Sequence, residues 1–245
     1  MSEPPSALSL RAALDLGLDR LGLSASDAQR DKLLHHLGMM SRWGQVYNLS
    51  AIRAPAEMMS LHLLDCLAAL PPLDAWVSGR GAGTPASAGD GAALLRMLDV
   101  GSGAGLPGVV LAIMRPQWRV TCVDTVGKKA GFIRQVAAEL ALPNVQALHA
   151  RVEAMAASAG GFDMITSRAF SSLAEWVRLT RHLLAPGGVW VGLKGRVPDD
   201  EIRALPETVT MFHVEPLAVP GLDAARCLVW IKQGGNACTD RSSQS

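Results

Sequence analysis

The chain lacks the basic excess of a protein that grips naked nucleic acid unselectively. Its 245 residues carry a formal net charge of only +1. Any nucleic-acid role must then rest on a local patch or a pre-assembled target. Long apolar runs are missing too: Gly, Pro, Asp or Arg breaks each one well short of about 18 residues, so no transmembrane helix and no membrane partner are expected. The first residues, MSEPPSALSLRAAL, lack a basic segment leading into an apolar core. No secretory leader is expected, and the cytoplasm is the expected compartment. The four cysteines, Cys66, Cys122, Cys227 and Cys238, form no C-x-x-C pair. They read as small buried hydrophobes, neither a disulfide framework nor a metal site. What the chain does have is 49% hydrophobic residues, enough for the core of one α/β domain with a small appendage.

Residues 1–75 carry only helix signals and read as an N-terminal helical lobe. Leu8, Leu10, Leu14, Leu16, Leu18 and Leu21 mark a first helix ended near Gly22, and Ser26 and Asp27 offer N-cap chemistry for a second. A third begins after Pro55 and is expected to stop at Pro71 and Pro72. Residues 76–93, rich in Gly, Ala and Ser, read as a flexible loop. From there strands alternate with helices: strands at 94–100, 118–124, 145–149, 163–167 and 189–194, helices at 128–140, 153–158, 172–184 and 199–205. Two further strands, 208–214 and 226–232, have no helix between them. This pattern predicts a doubly wound α/β sheet of seven strands over residues 94–233, closed by an antiparallel hairpin. The polar tail, 234–245, reads as disordered.

The sheet is organised around LLRMLDVGSGAGLPGVVLAIM, residues 94–114, a strand that meets a glycine turn and continues as a helix. Gly101, Gly103, Gly105 and Gly108 let the backbone bend and approach a ligand closely. Pro107 suits the first helical position, and the free N–H groups there are expected to face the turn. Gly103, Gly105 and Gly108 also satisfy the G-x-G-x-x-G spacing of dinucleotide folds, which leaves two cofactor classes open. Asp99 tilts the choice: a carboxylate there repels a pyrophosphate but suits the cationic amine of S-adenosylmethionine.

In such sheets ligands bind beyond the carboxyl ends of the strands. Asp124 closes the second strand, where an acid can hold ribose hydroxyls or merely start a turn. After the third come Val152 and Glu153, placed for the adenine edge. The alternative for Glu153 is a helix-dipole partner in a first turn. After the fourth come Arg168 and Phe170, facing the acceptor side, and after the fifth Lys194 and Arg196. With Lys128 and Lys129 these form a candidate basic rim. There is no Asn-Pro-Pro-aromatic run for exocyclic amines and no Pro-Cys pair for covalent attack on cytosine. Methyl transfer to a nitrogen with a free lone pair needs alignment and no obligatory catalytic side chain.

The ordered set LDVGSGAGLPG, VDTVGKKAGFIRQV, ARVE, TSRAF and LKG, with Arg42-Trp43, Tyr47-Asn48-Leu49 and His62-Leu63-Leu64-Asp65 before it, resembles the RsmG (GidB) family of 16S ribosomal RNA guanine-N7 methyltransferases. The resemblance runs from about Lys32 to Lys232. It implies a class I, Rossmann-like fold and S-adenosylmethionine-dependent methylation of one guanine in the 530-loop region, on RNA, subunit or assembly intermediate. It places Gly101, Leu106, Val152, Glu153 and Arg168 at the cofactor, beside Asp99, Gly103 and Asp124. It makes Tyr47, Asn48, His62, Lys128, Lys129, Lys194 and Arg196 candidates for RNA contact, with Arg168 and Lys194 positioning the acceptor. No metal is implied, and no dimerisation face stands out, so a monomer is expected. Leu61 departs from the basic residue usual before the His, Cys66 replaces a Ser, and the loop before residue 94 is longer than in most relatives.

Overall fold

The computed structural model describes residues 7–47, 52, 54–80, 95–157, 160–168, 170 and 172–234. Its centre is a seven-stranded sheet of order β3-β2-β1-β4-β5-β7-β6. The strands are β1 (Leu95–Val100), β2 (Trp118–Asp124), β3 (Val145–His149), β4 (Phe162–Ser167), β5 (Leu184–Lys194), β6 (Val209–Leu217) and β7 (Arg226–Gln233). The first five are parallel, while β7 runs antiparallel between β5 and β6. Successive residues point to opposite faces, so Met97 and Leu98 enter different hydrophobic clusters. With helices on both faces, β1 is buried along nearly its whole length, as its apolar composition requires.

Strand order reverses between β1 and β4, which makes their carboxyl ends the switch point where ligands bind. The link from β1 to β2 is α6 (Gly108–Met114), every residue of which is buried. A helix apolar all round must be covered on all sides. The sheet covers one side, and α2 (Asp27–Tyr47) and α4 (Asp65–Ala68) cover the other. Leu37, Leu63 and Leu67 of the N-terminal helices share one hydrophobic cluster with Val110, Ile113 and Phe132.

Local chemistry sets the helix ends. The first helix, α1 (Ala7–Arg20), stops where Gly22 takes φ +65° and the Leu23 N–H donates back to Leu18 O at 2.9 Å. A capping box starts α2: Gln29 N–H donates to Ser26 Oγ at 3.2 Å, and Ser26 N–H to Gln29 Oε1 at 2.8 Å. Pro71 and Pro72 do not end a helix. They open α5 (Leu70–Gly79), whose first turn needs no N–H donor from them. Helix therefore continues into the segment expected to be loop, and residues 81–94 lie outside the described residues. The tail beyond 234 lies outside them as well. The remaining helices are α3 (Pro55–Met58), a π-helical turn (Met59–Leu64), α7 (Gly127–Glu139), α8 (Leu173–Thr180) and α9 (Asp199–Arg203). The helix expected at 153–158 is a single 3-10 turn, Val152–Ala154, because Met155 returns to extended backbone. The Pro186-Gly187-Gly188 turn is absorbed into β5 as an irregularity in its pairing with β4.

Candidate active site

The glycine turn folds back over the end of β2. Gly101, Gly103 and Gly105 adopt φ of +69°, +58° and +80°. The Gly101 N–H donates to Val123 O at 2.8 Å. Asp124, buried at the end of β2, accepts from Gly103 N–H at 3.0 Å and Val126 N–H at 2.8 Å. Its carboxylate thus clamps the turn, with lone pairs left for a ligand.

Asp99 does something other than expected. Its side chain is 0% exposed, and Oδ2 accepts the Gly108 N–H at 3.0 Å. The Thr166 hydroxyl lies 3.3 Å from Oδ1. Burial pushes the carboxyl up to about 6, against the opposing pull of the Gly108 hydrogen bond. The carboxylate seals the start of α6, so that N–H does not face the turn, and Pro107 is the residue before the helix, not its first. The reason is close packing: Asp99, next to last in the largely buried β1, lies against Gly108, where a Cβ would stand 2.8 Å from Oδ2. Across the turn, His36 of α2 is fully buried with Nε2 2.9 Å from Ala104 O. Burial lowers its pKa to about 4, so the ring is neutral and Nε2–H donates.

A cavity of about 300 Å³ opens beyond β1, β2 and β3, lined among others by Gly101, Asp124, Val152, Glu153 and Phe170. Four of the residues expected at the cofactor therefore meet in one place. Asp99 and Leu106 are buried behind the turn, and Gly103 spends its N–H on Asp124. The cavity fits the adenosine part of S-adenosylmethionine. Asp124 supplies a hydrogen-bond acceptor of the kind ribose hydroxyls need, and Val152 and Phe170 offer apolar surface. A Cβ on Gly101 would meet nothing within 4 Å, so its side faces open space. The exposed Glu153 lies 3.4 Å from Arg151.

Arg168 lines a second cavity of about 280 Å³, with Leu61, Asp65, Lys194 and Arg226. The π-helical turn shapes it. Asp65 N–H donates to Ser60 O and His62 O and so passes over the Leu61 carbonyl. Arg168 Nη1 donates to that carbonyl at 3.3 Å and lies 3.4 Å from Asp65 Oδ2. Arg226 Nε donates to Asp65 Oδ1 at 2.9 Å. Asp65, only 6% exposed, is thus bracketed by two guanidiniums. Lys194 Nζ contacts both Glu201 carboxylate oxygens, at 2.8 and 3.0 Å.

Of the RNA-contact candidates, His62 is buried against Leu61 O at 3.0 Å, and burial, then Arg168, lowers its pKa. Its burial turns it away from any direct surface contact with RNA. Lys128 and Arg196 are exposed and Lys129 is half-buried, at the carboxyl edge of the sheet. The Tyr47 side chain and Asn48 lie outside the described residues. Sequence reasoning missed Asp65, Arg226 and Glu201 as site residues. Asp65 stood in view in the His62-Leu63-Leu64-Asp65 run, but Arg226, an Arg opening an apolar strand, carries no sequence signal.

The antiparallel β7 wedged between β5 and β6 separates this sheet from dinucleotide-binding folds and gives the chain the class I, Rossmann-like methyltransferase fold. The family model GidB, rRNA small subunit methyltransferase G, matches residues 29–229. The chain belongs to this family. It is 50% identical over 232 residues to the ribosomal RNA small subunit methyltransferase G of Methylibium petroleiphilum, covering 95% of this chain and 98% of the relative. It is 54% identical over 222 residues to that of Leptothrix cholodnii, covering 91% and 95%. Among solved structures it is similar to a SAM dependent methyltransferase from Aquifex aeolicus, with a TM-score of 0.49 and 14% identity over 71% of this chain and 92% of the other.

Proposed function

We propose that the enzyme transfers a methyl group from S-adenosylmethionine to N7 of one guanine in the 530-loop region of 16S ribosomal RNA, acting as a cytoplasmic monomer without a metal. The observation that carries the choice of atom is the state of the acceptor cavity. Its carboxylate, Asp65, is ion-paired to Arg168 and Arg226, and Glu201 beside it is paired to Lys194. An acceptor that must lose a proton finds no unpaired carboxylate among these groups. When bound, S-adenosylmethionine supplies an electrophilic methyl on a sulfonium, and guanine N7 offers a free lone pair with no proton to remove.

The chain's part is binding and alignment. Asp124 accepts from the ribose hydroxyls while it holds the glycine turn. Val152 and Phe170 exclude water from the adenine, and Glu153 accepts at its polar edge. Arg168 follows β4 between the two cavities and orients the base toward the cofactor. Lys128, Lys129 and Arg196 meet RNA phosphates on the rim.

Incubation with labelled methyl donor and 30S subunits, naked 16S rRNA or RNA-free extract tests this reading. Label is expected in the 16S RNA of at least one of the first two samples. Label only in small molecules of the extract contradicts it.

A further inference from the structure

We propose that Asp65 is the residue that reads the acceptor as guanine, by accepting hydrogen bonds from N1–H and the N2 amine of its Watson–Crick edge. The inference rests on the guanine-N7 reading and deepens it. A base methylated at N7 must be held by the opposite edge, or the grip blocks the reacting atom. On that edge guanine presents acceptor, donor, donor: O6, N1–H and N2–H. Adenine presents a donor and a bare N1, which a carboxylate repels.

The second cavity offers the complement. Each Asp65 oxygen takes one guanidinium, Oδ1 from Arg226 at 2.9 Å and Oδ2 from Arg168 at 3.4 Å. A carboxylate has about four lone-pair sites, so among the described residues each oxygen has one guanidinium partner and a site for the base. Arg168 has five N–H donors, and those that Leu61 O and Asp65 do not take among the described residues suit O6. Both guanidiniums flank this carboxylate, and charge-assisted bonds discriminate more strongly than neutral ones. The π-helical turn matters here, because its Leu61 carbonyl accepts from Arg168 Nη1 and holds that side chain beside Asp65. A volume of about 280 Å³ suits one base. Phe170, two residues beyond Arg168, lines the cofactor cavity. That short link is what brings a base in the Asp65 cavity toward the cofactor cavity in this proposal.

The test uses 30S particles rebuilt with 16S rRNA carrying guanine, inosine or 7-deazaguanine at the acceptor position. Inosine lacks only the N2 amine. The wild-type enzyme is expected to lose about tenfold or more in kcat/KM on inosine. Asp65→Asn is expected to bind S-adenosylhomocysteine normally, to be slow on guanine, and to treat guanine and inosine alike within about twofold. A purely structural Asp65 slows both substrates and leaves their ratio unchanged, which overturns the proposal. Equal wild-type rates on guanine and inosine overturn it as well, and need no variant. Should Asp65→Asn not fold, Asp65→Asn/Arg226→Gln removes one charge of each sign and is judged by the same ratio. Methylation of 7-deazaguanine contradicts the N7 reading itself, whereas N7 methylation indifferent to inosine contradicts only the role of Asp65.

Discussion

Two buried titratable residues flank the glycine turn, and their effects on stability have opposite signs. The Asp99 carboxyl is raised from 3.8 to about 6, so the folded state binds its proton more tightly than the unfolded chain. Its contribution favours folding below pH 4 and is lost as pH rises to about 6, by about 3 kcal/mol. The His36 ring is lowered from 6.5 to about 4, so its neutral form favours folding above pH 6.5 and that contribution fades as pH falls toward 4, again by about 3 kcal/mol. Between pH 4 and 6 the two slopes largely cancel. Denaturant melts across that window are expected to show Asp99→Asn losing stability toward acid more steeply than wild type, and His36→Leu gaining it. Parallel profiles for all three proteins contradict this. The glycines separate scaffold from site in the same way. A Cβ on Gly105 would stand 2.5 Å from Val109 Cγ2, so Gly105→Ala should cost about 2–3 kcal/mol of stability. At Gly101 the strain of φ +69° remains but the space is open, so Gly101→Ala should cost about 1 kcal/mol. Its main effect should appear as weakened S-adenosylhomocysteine binding in calorimetry. Asp99 was read as the partner of the cofactor's cationic amine. Its burial against the Gly108 N–H was not legible, because that bond spans a turn whose course no local pattern encodes.

At the scale of elements, the strands were the most legible part. The expected limits of β2 and β3 coincide with those observed, since each is an apolar run bounded by turn residues. The antiparallel β7 was foreseen from a helix-free pair of strands. Pro71 and Pro72 were misread because proline stops one helix and starts another with equal ease. The π-helical turn was invisible: Leu61, Leu63 and Leu64 keep an apolar face with or without one wide turn. Only the coordinates show that its Leu61 carbonyl meets Arg168. The helix behind the acceptor strands gives a direct test of element coupling. Trp190 Nε1 of β5 donates to Thr180 Oγ1 at 2.8 Å, and that hydroxyl donates to Trp176 O at 2.7 Å, all buried. Thr180→Val keeps the shape and orphans the indole N–H. Equilibrium unfolding is expected to show a loss of about 1–3 kcal/mol. A loss below about 0.5 kcal/mol would show that the α8–β5 contact is apolar packing alone.

For the whole molecule, near-neutral charge and a basic rim limited to a few side chains imply modest electrostatic affinity. If Lys128, Lys129 and Arg196 each meet one phosphate, log binding constant against log salt should have a slope of about −2 to −3. A slope near −10 would require a basic surface that these residues do not provide. The fold and cofactor cavity followed largely from strand-end logic, whereas the acceptor cavity is assembled from α4, β4, β5 and β7, elements distant in sequence. That is why Asp65 and Arg226 escaped notice until they stood within 2.9 Å of each other. The central claim is the atom and position of methylation, and borohydride–aniline scission reads both, because it cuts RNA only at N7-methylated guanine. Treated 16S rRNA is expected to be cut at one guanine of the 530-loop region and nowhere else new. An uncut chain that nevertheless carries the labelled methyl group, or a cut outside that region, would contradict the account.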